Sequence, residues 1–281
     1  MRIDQSLYER IDPSESKAIQ LGILKRFDEI CSEHSIKYSL ACGTLLGAVR
    51  HGGYIPWDDD IDVMMLRSEF KKFFSLATTT YRDDRYKLVS IYNVKDYFSP
   101  LPKFYDSETL LVQDYGQTEN DNYGVYIDVF IVDYLPEEGQ DEFYLGAQKL
   151  RKKWGCSCRK IFSLHHQSRN VLFEILGTLA ALPYKIRGKY YYRDKYDEYC
   201  RRYEEVGGKD IAVVEFGESL AREKMDLSQL EDLETIEFEH CTFPCISNKE
   251  GYLRNMYGNY MELPPENQRV SKHPNEMFKR R

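Results

Sequence analysis

An α/β (α+β) fold, a mixed sheet core with flanking helices and a mainly helical C-terminal portion, is predicted by three observations on this chain of 281 residues. Apolar residues recur at helical spacing in an early stretch, alternate with period two in several short runs, and return to a mainly helical pattern after about residue 137. The first element is a helix from about Ser14 to Ser35, with Ser14 as N-cap behind Pro13 and Ile19, Ile23, Phe27 and Ile30 on one stripe that covers a face of the sheet. Tyr38, Leu40 and Cys42 then alternate as a short strand, Gly43-Thr44 breaks the pattern, and Leu45 to Arg50 reads as a short helix. An aspartate-bearing strand from Asp60 follows, then a helix near 67–78, strands near 86–93 and 108–114, and a strand within 123–133. Pro136 and Gly139 mark the boundary between a catalytic core, 1–136, and a helical addition, 137–281.

The most informative segment is Gly43 to Val63, GTLLGAVRHGGYIPWDDDIDV, which sets a glycine turn ahead of four aspartates in five positions, Asp58, Asp59, Asp60 and Asp62. Like charges this close repel unless solvent or a cation intervenes. Alternation from Asp60 to Val63 puts Asp60 and Asp62 on one strand face, about 7 Å apart at the usual rise, where both side chains converge on one hard cation. Oxygen-only ligands favour Mg2+ or Mn2+ over zinc. The bland alternative is a solvated acidic turn after Pro56.

A strand entering a helix through Gly43-Thr44 presents backbone N–H groups and a hydroxyl where phosphate binds well. Arg50 is suited to a bidentate grip on phosphate, or is an ordinary surface cation; His51 is a phosphate donor, a proton shuttle or a polar loop residue. In YGVYIDVFIVD, residues 123–133, Asp128 interrupts an apolar strand and needs a partner: a shared metal with Asp60 and Asp62, a core arginine, or water at a sheet edge.

These residues resemble the LicD family, which includes fukutin and its relatives, within the nucleotidyltransferase-fold superfamily. Gly43-Thr44 stands at the superfamily's glycine turn, Asp60-Ile61-Asp62-Val63 at its paired-carboxylate strand and Ile127-Asp128-Val129 at its third acidic strand, while HGGYIPWDDDID, 51–62, is particular to LicD-type proteins. Tyr252-Leu253, Tyr257 to Met261 and Leu263-Pro264-Pro265 resemble the family's closing segment. The resemblance implies a nucleotidyltransferase-like core and transfer of phosphocholine, or a similar phospho-alcohol, from CDP-choline or a related CDP-alcohol to a glycan hydroxyl, as in teichoic acid or lipopolysaccharide, with release of CMP. It implies Asp60, Asp62 and Asp128 as catalytic and metal-holding residues. Gly43, Thr44, Arg50 and His51 are then substrate-binding, and Trp57, Tyr54, Tyr123 and Tyr126 are candidate faces for a quaternary ammonium, unless Trp57 merely packs its loop. A nucleotidyltransferase, a DxD glycosyltransferase and a non-catalytic membrane-associated scaffold stay open as alternatives.

The net charge of −7 argues against general nucleic-acid binding. Seven cysteines without an apparent export signal fit reduced thiols, and neither Cys156-Ser157-Cys158 with His165-His166 nor His240-Cys241 with Cys245 has standard zinc spacing. No apolar run is long enough to span a bilayer, so a cytoplasmic protein is expected. Residues 171–184 read first as a buried core helix; followed by Lys185, Arg187, Lys189 and Arg193, they also suit peripheral contact through 171–193 with an anionic membrane carrying a lipid-linked acceptor. The C-terminal block, with Arg269, Lys272 and His273, is expected to fold back on the site.

Overall fold

The computed structural model describes residues 7–113, 123–158, 171–214, 219–270 and 275–280. The elements run β1 (Tyr8–Arg10), α1 (Pro13–Glu33), β2 (Ser39–Leu40), α2 (Cys42–His51), β3 (Asp62–Leu66), α3 (Arg67–Thr78), β4 (Tyr86–Val89), β5 (Lys103–Asp106), β6 (Thr109–Gln113) and β7 (Tyr126–Tyr134). They continue as α4 (Gln140–Cys158), α5 (Val171–Arg187), α6 (Lys189–Cys200), β8 (Asp210–Val213), α7 (Leu220–Glu223), β9 (Lys224–Asp226), α8 (Ser228–Glu231), β10 (Glu234–Phe238), β11 (Cys241–Cys245), α9 (Lys249–Tyr257) and β12 (Asn275–Arg280). This is the mixed α/β architecture expected, with more strands after residue 137 than the pattern singled out.

The central sheet has the order β2-β3-β7-β5-β4, with β8 also on β7 and β9 beyond it. Only β3 and β7 run parallel among these pairs; the rest are antiparallel. β7 is the axis of the sheet: β3 takes one edge, and β5 and then β8 share the other. Its Ile127, Val129, Ile131 and Val132 are at most 1% exposed, as suits a strand covered on both faces. Ile23, Leu24, Phe27 and Ile30 of α1 are wholly buried in the same core as β3 and β7. Phe27 packs tilted on Phe73 of α3, with ring centres 4.5 Å apart. A second core joins α4 and α6 to β8 through Phe143, Trp154, Tyr196 and Ala212.

Several local expectations are corrected. Asp12, not Ser14, caps α1: its Oδ1 accepts from the N–H groups of Ser14 and Glu15, and Pro13 takes the first helical turn where its missing N–H costs nothing. α2 begins at Cys42 rather than Leu45, so Gly43 and Thr44 lie inside its first turn. Asp60 and Ile61 precede β3 instead of forming part of it. α5 is not a fully buried helix: Leu176, Leu179, Leu182 and Ile186 are 53%, 55%, 41% and 85% exposed. Lys272 and His273 lie outside the described residues, as do His165 and His166.

Candidate active site

The site is built where β3 and β7 enter the sheet side by side. In the parallel register Asp62 is the partner of Asp128, and in the antiparallel register on the other edge Asp128 is the partner of Lys103. Three charged residues thus stand abreast on neighbouring strands, about 4.8 Å apart strand to strand. Lys103 Nζ donates to Asp128 Oδ1 at 2.5 Å, and both residues are buried. The Asp128 N–H reaches back to the carbonyl of Ile61 at 2.9 Å, which ties the acidic loop to β7.

α2 supplies the floor. Cys42 takes φ +44, a backbone conformation that an L side chain rarely adopts. Gly43 is required for space: a Cβ there would lie 2.6 Å from Asp58 Oδ2. The Thr44 hydroxyl is buried and accepts from the Asp62 N–H at 2.8 Å, so it fixes the carboxylate strand rather than standing open to a ligand. Gln20 of α1 donates to the carbonyl of Asp59 at 2.8 Å. Gln20, Asp59, Asp60, Val125 and Tyr126 line a cavity of about 10 Å³, room for one water molecule.

The carboxylates gather differently from the expected trio. Asp58, Asp59 and Asp60 each bring a carboxylate oxygen within 4.8 Å of the others. Asp62 and Asp128 adjoin this set: the charges of Asp60, Asp128 and Asp58 all bear on Asp62. Burial, and then Asp58, Asp128 and Asp59, push Asp60 up to about 8. Burial, and then Asp60, push Asp62 well above the carboxylate range, with Lys103 opposing. The donor set is all oxygen, which by its chemistry would suit Mg2+ or Mn2+.

The other sequence-derived candidates sit around this centre, engaged by the chain itself. Arg50 Nη1 donates to the carbonyl of Tyr260 at 2.7 Å, from a position seven residues along α2 from Gly43. His51, exposed, packs edge-on against Trp57, and burial together with Arg50 lowers its pKa. Each proposed ammonium face carries a cation of this chain. Lys103 Nζ lies 3.5 Å from the Tyr126 ring centre and 5.9 Å from that of Tyr123. The Arg269 guanidinium lies 5.7 Å from the Trp57 ring, and Lys17 4.9 Å from Tyr54, whose hydroxyl donates to the Lys17 carbonyl.

Sequence reasoning missed Lys103, because β5 is four residues of KFYD with no clean alternation and its register on Asp128 is a long-range fact. It named Tyr252 without its contact: the hydroxyl meets the Cys42 N–H at 3.4 Å and lies 3.6 Å from its Sγ. The closing segment carried that signal.

A strand pair that brings acids together at a glycine-spaced helix start defines a domain of the nucleotidyltransferase type. Residues 35–136, which hold β2 through β7, match the family described as LicD/FKTN/FKRP, nucleotidyltransferase domain. In this stretch the chain is similar to the nucleotidyltransferase domain of the LicD family. Over 265 residues, 94% of this chain and 97% of the relative, it is 27% identical to the lipopolysaccharide cholinephosphotransferase LicD of Haemophilus influenzae. It is also 46% and 44% identical over 57 residues to uncharacterized proteins of Rickettsia typhi and Rickettsia prowazekii, about a fifth of each chain.

Proposed function

We propose that this protein is a metal-dependent phosphotransferase that moves phosphocholine from CDP-choline to a hydroxyl of a cell-surface glycan and releases CMP. The carrying observation is the acidic centre at the start of β3 and β7, in a chain similar along nearly its whole length to a lipopolysaccharide cholinephosphotransferase. Asp60 and Asp62, assisted by Asp58 and Asp59, are assigned to hold a divalent cation, and Asp128 to border it. When bound, that cation neutralises the donor's pyrophosphate and the charge that develops on the leaving phosphate.

The chain's own residues do the rest. N–H groups in the first turn of α2 orient the donor phosphate over Gly43, at the positive helix end. The acceptor oxygen attacks the phosphorus nearer choline, a new P–O bond forms, and the bond to the CMP oxygen breaks. Lys103 holds one oxygen of Asp128; the other aligns the acceptor hydroxyl and takes its proton. Arg50, Arg269 and His51 flank the loop as positive or hydrogen-bonding groups for the rest of the donor.

The acceptor, a lipid-linked glycan, supports contact with a membrane surface. No helix among the described residues is long and apolar enough to cross a bilayer. α5 instead presents Leu176, Leu179, Leu182 and Ile186 outward beside Lys185 and Arg187, the composition of a helix lying in an anionic interface.

The test is product analysis. Wild-type protein with Mg2+, CDP-choline and a lipopolysaccharide acceptor is expected to release one CMP for each phosphocholine transferred, followed by phosphorus NMR and nucleotide chromatography. A cytidylylated acceptor would make it a nucleotidyltransferase; no CMP with any CDP-alcohol would overturn the reading.

A further inference from the structure

Gln20 is an amide in the apolar stripe of α1, at helical spacing from Ile23, Leu24 and Phe27, and it is 3% exposed. A buried amide costs free energy unless both of its ends are hydrogen-bonded. One end is settled. Nε2 donates to the Asp59 carbonyl at 2.8 Å, and because a carbonyl only accepts, the amide cannot be turned round. Oε1 is therefore the other end, buried, and it meets no hydrogen-bond donor among the described residues.

The surroundings restrict what completes that oxygen. Gln20 lines the one-water cavity with Asp59 and Asp60 of the acidic loop and with the apolar Leu111, Val125 and Met277. An amide oxygen and ionised carboxylates all accept, so a group that serves them has to donate. A water carried by a divalent cation turns its lone pair to the metal and keeps both protons for such acceptors. The cation's own place is beside this cavity, since Asp58, Asp59 and Asp60 bring carboxylate oxygens within 4.8 Å of one another.

We propose that Gln20 is an indirect ligand of the cation: its Oε1 accepts a hydrogen bond from a water that the ion carries, while its Nε2 holds the loop that supplies the acids. This role rests on the metal-dependent reading above and brings α1, far from the glycine turn in sequence, into the metal site. It also accounts for an amide at a position of α1 where its neighbours on the stripe are apolar.

Mn2+ titration of wild type, Gln20→Met and Gln20→Glu, followed by electron paramagnetic resonance at pH 8 without nucleotide, tests the role. Methionine has glutamine's length and suits a core helix but loses both the oxygen and the N–H group. Glutamate has glutamine's outline and keeps an oxygen for the cavity, while its ionised form gives up the N–H bond to the Asp59 carbonyl. Melting curves of the three metal-free proteins check that each is folded. Gln20→Met is expected to bind Mn2+ about tenfold more weakly or worse, as loss of a group behind a metal ligand typically does, and Gln20→Glu to bind at least as tightly as wild type. Equal weakening in both folded variants would mean that only the N–H bond to the loop matters, and wild-type affinity in Gln20→Met would mean that the oxygen does not serve the ion; either result overturns the role of Oε1. Wild type that binds no Mn2+ overturns the metal site and Gln20 with it, whereas Mn2+ binding without CMP release from CDP-choline overturns the transfer reading and leaves Gln20 in place.

Discussion

Four acids of the central sheet and of the loop that enters β3 meet the cost of losing water in two ways. Asp128 is held by Lys103 and Asp133 by Arg67, each through a direct ion pair. Asp60 and Asp62 sit instead among other carboxylates, and their charged forms are disfavoured. The sign of the pH dependence follows. Asp60 has an ordinary value of 3.8 and is pushed up to about 8 in the fold. Its contribution to stability is therefore intact below about pH 4 and is lost as the pH rises through 8. Without divalent cations the melting temperature is expected to fall between pH 5 and 8.5, and Mg2+ is expected to raise it most at the alkaline end. Asp60→Asn and Asp62→Asn should flatten that profile and stabilise the metal-free protein by roughly 1–3 kcal/mol while reducing CMP release at least about a thousandfold. Substantial transfer by both variants would remove the aspartates from the chemistry. The acidic string itself announces Asp60 and Asp62, but which acids share one point depends on a loop, and the loop draws in Asp58 and Asp59 ahead of Asp128.

Among the elements, those with strong local periodicity were legible: α1 to within two residues, α3 from Arg67 to Thr78, and the β7 strand around Asp128. β5 and the strands after residue 200 were not, because each is three to six residues long, and β5, β8 and β12 also take their identity from partners far along the chain. The same limit hid Arg67, which reads as a helix-start cation but lies 5% exposed and forks onto both oxygens of Asp133, at 2.5 and 2.7 Å. This pair fastens the start of α3 to β7. Arg67→Met leaves Asp133 buried without its partner and is expected to lower unfolding free energy by about 3–5 kcal/mol in urea titrations. An unchanged midpoint would mean that the pair carries no net interaction. At the other helix, loss of the cap in Asp12→Ala should cost about 1 kcal/mol by the same measurement, whereas Ser14→Ala should cost less.

For the whole molecule, the sheet places the acidic centre, α2 and the closing α9 segment at one locus, and α5 turns an apolar stripe outward. The stripe was visible in sequence as an apolar run, but burial or exposure of such a run is decided by what packs on it. Flotation with vesicles of anionic lipid at low salt is expected to carry the protein upward, and Leu179→Glu with Ile186→Glu to abolish this; a wild type that stays at the bottom removes membrane docking. The central claim is that the acids beside Gly43 hold a divalent cation, and Mn2+ titration followed by electron paramagnetic resonance at pH 8 tests it most directly. Wild type is expected to bind the ion, and Asp60→Asn and Asp62→Asn each to weaken binding by at least about tenfold, the loss of one charged ligand. Equal Mn2+ affinity in all three proteins, or none in wild type, would contradict it.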